Sequence, residues 1–146
     1  MNNPVRLLHI AYWTGAVADG AMLVPLLVPK AAGAMLGIDR FAPGSDYRYA
    51  TAVGAALMAG WTALLVWADR RPVERRGVLL LTVFPVLVGL VAAGVYAVTS
   101  GFVELPYLIP VFGFQTGACT LFGVAYLRAR GFEHAGPPAD NPTARG

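Results

Sequence analysis

Among the residues able to do chemistry, Asp19 stands apart. It lies inside an apolar stretch, residues 7–29, that carries no other acidic or basic side chain beyond His9. An ionisable group deep in hydrocarbon costs about 2.5–3.5 kcal/mol on insertion scales, so it must face protein or a water-filled space. Its neighbours at helical spacing are Gly15, Ala16, Met22 and Leu23. Two of these are small, which suits a face packed on another helix or lining a slot. Tyr12 shares that face about two turns earlier. At matching depth in the last apolar stretch stand two neutral polar residues, Gln115 and Thr116. A hydrogen bond from one of them to Asp19 is the expected pairing. No Lys or Arg reaches that depth, so Asp19 is expected to be at least partly protonated.

Two helix-disrupting residues follow the carboxyl. Gly20 is adjacent, and Pro25 lacks the N–H that a helix interior uses. A hinge at Gly20 and Pro25 is expected, with another at Pro85 in the third apolar stretch. Broken helices beside a polar group are one way transporters expose backbone to a substrate. An ordinary proline kink accounts for the same residues.

Other chemistries find no support. Cys119 is the only cysteine, so neither a disulfide nor a thiol relay can form within the chain. His9 and His134 are the only histidines, which leaves no set for haem or zinc. No nucleotide loop, triad or pair of carboxylates is present, and no catalytic residue, metal or cofactor is assigned. Thr14, Thr62, Thr82 and Thr120 fall near one depth, but threonine in apolar helices commonly bonds back to its own backbone. His9 reads as an interface anchor.

The elements that must position Asp19 are four apolar stretches, residues 7–29, 49–68, 78–99 and 105–127. Each reaches the length of about 20 residues that a bilayer core requires. Charged residues make up only 13% of the chain, against about 25% in a soluble domain. The expected fold is therefore all-α, an integral membrane antiparallel four-helix bundle formed by residues 1–130 as one domain. A flexible tail, residues 131–146, is expected to follow. Ala16-Val17-Ala18 imitates a signal-peptide cleavage site, but the apolar run continues past it, so the segment reads as the first span.

Arginine and lysine set the orientation. Arg6, Arg70, Arg71, Arg75, Arg76, Arg128, Arg130 and Arg145 fall on one side, and only Lys30, Arg40 and Arg48 on the other. The positive-inside rule places both termini and the 69–77 loop in the cytoplasm. The basic loop can also meet anionic lipid headgroups. With the basic residues gathered beside spans, nucleic-acid binding is not expected. The connection 30–48 begins with a segment that suits either a short interfacial helix, with Ala31, Met35 and Ile38 toward lipid, or an ordered loop. Ser45 is a candidate N-cap for the second span.

Small residues recur at four-residue spacing: Ala52, Ala56 and Gly60; Gly89, Ala93 and Ala97; Gly113 and Gly117. Such rows let helices approach closely within a bundle, or form a seam between protomers of an oligomer. The bias toward Arg, Ala and Gly suits a GC-rich bacterial genome and an inner-membrane location.

The segments Tyr-Trp-Thr-Gly-Ala-Val-Ala-Asp (12–19) and Gly-Trp-Thr-Ala-Leu-Leu-Val-Trp-Ala-Asp-Arg-Arg-Pro (60–72) complete the pattern. In length, span count and long first connection the chain resembles the small four-helix bacterial membrane proteins of DoxX-like families. The resemblance transfers no functional residue. Two functions follow from the residues themselves. The first is a non-enzymatic membrane protein that holds a small apolar or amphipathic ligand in its bundle, or serves as a subunit of a membrane complex. The alternative is a proton-linked small-molecule transporter with Asp19 as the titrating group. A membrane enzyme would need a second catalytic group beside Asp19, and none is evident.

Overall fold

The computed structural model describes residues 4–134, and every regular element within them is helical. In order these are α1 (Pro4–Leu27), α2 (Pro29–Leu36), α3 (Ser45–Asp69), α4 (Gly77–Leu81), a wide helical turn (Thr82–Leu87), α5 (Val88–Thr99) and α6 (Leu105–His134). Four segments are long and apolar enough to cross a bilayer: Pro4–Leu27, Ser45–Asp69, Gly77–Thr99 and Leu105–Gly131.

Local chemistry sets the breaks. Val28 is extended (φ −115°, ψ 102°) because the following Pro29 disfavours the helical region for its predecessor. Pro29 then opens α2 at a position where its missing N–H costs nothing. Gly37 ends α2 in the left-handed region (φ 68°), and the N–H groups of Gly37 and Ile38 both donate to Gly33 O. The expected hinge at Gly20 and Pro25 is not where α1 breaks. Both lie inside the helix, and the chain turns at Val28 instead. At Pro85 the disruption goes further than a kink: Phe84 leaves helical geometry (φ −132°, ψ 110°) and divides the third span.

Two boundaries differ from the sequence expectation. Gly44, not Ser45, is the N-cap of α3. The last helix runs on to His134, since Arg128 and Arg130 are good helix formers and do not end it. Residues 131–134 of the expected tail are thus helical, and the remainder of that segment lies outside the described residues. In α2 it is Ala32 and Gly33 that are buried, against α1 and α6. Ala31, Met35 and Ile38, expected toward lipid, are half-buried.

Packing is uneven along the bundle. Leu8, Ala11, Tyr12 and Ala16 of α1, Leu65 and Ala68 of α3, Leu79 of α4, and Ala118, Phe122, Ala125 and Ala129 of α6 form one buried cluster, which Leu87 joins. The close approach depends on Gly15. A Cβ there would stand 3.0 Å from Leu65 Cδ1 and 3.3 Å from Phe122 Cζ. By contrast α5 has no buried residue. At the glycines expected to pack helices within the bundle, Gly60, Gly89, Gly113 and Gly117, a Cβ would meet nothing within 4 Å. They lie on exposed faces, because the bulky partners that fill a glycine gap stand opposite Gly15 and Gly94 instead.

Candidate functional site

Helix α1 carries two polar regions. Asp19 lies on the interior-facing side, about one turn past the middle of Pro4–Leu27. It is half-buried and has no hydrogen-bond or ion-pair partner among the described residues. Across the bundle Gln115 is 6% exposed, and its Oε1 is buried without a hydrogen-bond partner. The expected bonds from Asp19 to Gln115 or Thr116 are therefore not formed. Thr116 faces outward and donates to Phe112 O at 2.9 Å. Gln115 does face the interior, but the levels differ. From the Gly15–Phe122 contact, Asp19 is about one turn along α1 and Gln115 about two turns along α6.

An orphaned buried carbonyl is expensive, on the order of 1–3 kcal/mol, and native interiors hold few. Here one such acceptor, Gln115 Oε1, sits on α6, and the half-buried, unpaired carboxyl of Asp19 sits on the adjoining α1. The acceptor calls for a hydrogen-bond donor that no described residue supplies.

Tyr12 and Gly15 serve the frame rather than that interior. Tyr12 is fully buried, and its hydroxyl donates to Arg75 O at 2.9 Å, tying α1 to the turn before α4. Gly15 admits Leu65 and Phe122. The four threonines do not assemble a polar layer. Thr62 and Thr120 donate to Met58 O and Thr116 O, each at 2.9 Å, and Thr120 is exposed. Thr82 donates to Val78 O and accepts from Trp61 Nε1 at 3.3 Å, a link between α3 and the wide turn.

A second polar region, at the start of α1, joins residues that sequence reasoning left apart. Asp69 ends α3, where the helix dipole disfavours a carboxylate. Two donors from α1 compensate. His9 Nδ1 lies 2.5 Å from Asp69 Oδ1, and Trp13 Nε1 donates to Asp69 Oδ2 at 3.1 Å. Beside them the Arg75 guanidinium stacks 3.4 Å from the centre of the Trp67 ring and donates to Trp67 O. The His9 side chain is 45% exposed and that of Asp69 19%. No cluster of metal-ligating side chains occurs among the described residues. The group acts as a clamp that closes α1 onto α3. A usable sequence signal did exist: His9 and Trp13 are one helical turn apart on a single face, matched to one acid at the end of the second span.

The four apolar segments and their packing define a small multi-pass membrane protein with a helical-bundle core. Comparison with protein-family models, curated proteins and solved structures finds no match to this chain.

Proposed function

We propose that this chain is a non-enzymatic inner-membrane protein of bacterial type, an antiparallel four-helix bundle that holds a small amphipathic ligand between α1 and α6. The observation that carries this reading is the buried, unsatisfied Oε1 of Gln115 on a helix packed against the one bearing unpaired Asp19. With α1 and α6 antiparallel, the two residues are offset by about 5 Å along the bundle, the span of a small polar head. A ligand hydroxyl or amine would donate to Gln115 Oε1 and to Asp19, with its apolar part among neighbouring side chains. The clamp supports the antiparallel order, since the start of α1 meets the end of α3. The arginine distribution supports cytoplasmic termini, with membrane lipids as constant partners. The DoxX-like resemblance is compatible with this reading.

Extraction in a mild neutral detergent, followed by solvent extraction and mass spectrometry, tests the proposal. One small molecule is expected at near-stoichiometric yield in the wild type and is expected to be lost in Gln115→Leu. Equal yields from both proteins would refute the site.

The unpartnered Asp19 favours a second reading, a proton-linked transporter in which this carboxyl titrates. Proteoliposomes distinguish the two. Asp19→Asn abolishes substrate-coupled proton uptake in a transporter, whereas a ligand-holding protein shows no such uptake in the wild type. The absence of any buried residue from α5 further supports assembly into an oligomer or larger complex. Gly113→Leu or Gly60→Leu disrupts that assembly if the glycine rows form its seam.

A further inference from the structure

A second binding site is suggested far from the clamp, roughly 30 Å away along α1. There α2, the segment after it and the first turn of α6 line an open basin of about 670 Å³. That volume falls within the usual range of small-molecule sites. Its floor is aromatic and depends on bare backbone. A Cβ on Gly33 would come 2.8 Å from Phe41 Cβ, and one on Gly37 would come within 2.2 Å of the Tyr107 ring. Phe41 is itself held edge-on by Tyr47, with ring centres 5.2 Å apart. Lys30, Asp39 and Arg40 also line the basin, and none of them forms an ion pair among the described residues. Arg40 adopts φ 61°, a left-handed conformation that non-glycine residues rarely take. Backbone outliers of this kind gather at ligand-holding positions.

We infer that this basin binds an anion-headed amphiphile, with a phosphate or carboxylate between Lys30 and Arg40 and an apolar body over Phe41 and Tyr107. Two free cations against one carboxylate leave a single positive charge for one anionic head. Arginine matches an oxyanion in two-point geometry, and lysine adds a point charge. The site is separate from the Asp19–Gln115 interior, where the unmet group is an acceptor that calls for a donor.

Calorimetric titration of the full chain in neutral maltoside micelles with dodecyl phosphate tests the inference. Saturable binding at one site per chain is expected. Lys30→Gln combined with Arg40→Gly should weaken it at least tenfold, with glycine preserving the left-handed backbone. Arg71→Gln, at the clamp end, should leave it unchanged. Displacement of the probe by inorganic phosphate marks a water-borne ligand. Displacement by phosphatidylglycerol but not by inorganic phosphate marks a leaflet lipid, and either result supports the site. Displacement by neither, equal affinity in wild type and double variant, or uptake without saturation overturns it. Should the double variant fail to fold, Lys30→Gln alone is expected to weaken binding at least threefold, and unchanged affinity there overturns the inference equally.

Discussion

The two ends of this bundle solve different problems. Along the first half of α1 the buried cluster closes and polar groups are paired: Phe122 and Leu65 meet Gly15, Asp69 meets His9 and Trp13, and Tyr12 meets Arg75 O. Where α1 ends, Gln115 Oε1 lacks a partner and charged residues line an open basin, while α5 buries nothing. Closed packing and satisfied hydrogen bonds mark the end that holds the fold. Unmet groups and open space mark the end with room for another molecule.

Substitutions can break this contrast, beginning with the largest effect. Gly15→Leu drives a side chain into Leu65 and Phe122 and should cost about 3 kcal/mol, or abolish folding, by equilibrium unfolding in detergent. Tyr12→Phe removes one of the two donors to Arg75 O, leaving Val78 N at 2.9 Å, and should cost about 1 kcal/mol in the same assay. Asp69→Asn weakens the His9 contact of a half-exposed pair, so the loss should stay below about 1 kcal/mol. Gly117→Leu meets open space inside the chain and should shift monomer stability by no more than about 0.5 kcal/mol. If Gly117→Leu proved as damaging as Gly15→Leu, the assignment of packed and open faces would fail.

The four spans were legible in sequence because an apolar run long enough for a bilayer has few other uses, and every one is found as helix, the third interrupted at Phe84. The faces of those helices were not. Glycine and alanine at four-residue spacing mark a flat stripe without saying whether a Phe122 or a Leu65 stands opposite. That information lies on other helices, so the rows at Gly60, Gly89, Gly113 and Gly117 looked equivalent to Gly15. The hinge was misplaced for a local reason. A proline near a helix end can be absorbed, as Pro25 is, while the residue before Pro29 cannot remain helical. In the candidate site, the lack of a basic neighbour for Asp19 was readable from depth and type, but its lack of any bond to Gln115 or Thr116 was not. The one-turn offset between Asp19 and Gln115 follows from how Phe122 seats against Gly15. The clamp joins residues 60 apart in the chain, and only the fold reveals that distance as contact.

The central claim is that the interior around Gln115 is completed by a bound molecule. Melting temperature measured before and after exhaustive detergent exchange tests it, on the wild type and on Gln115→Leu in parallel. A ligand that binds only the folded state raises stability, by about 2.7 kcal/mol at a hundredfold excess over Kd. Exchange should therefore lower the wild-type melting temperature, leave Gln115→Leu unmoved, and leave the variant the more stable of the two stripped proteins. A wild type indifferent to exchange, with Gln115→Leu less stable than it throughout, would contradict the account.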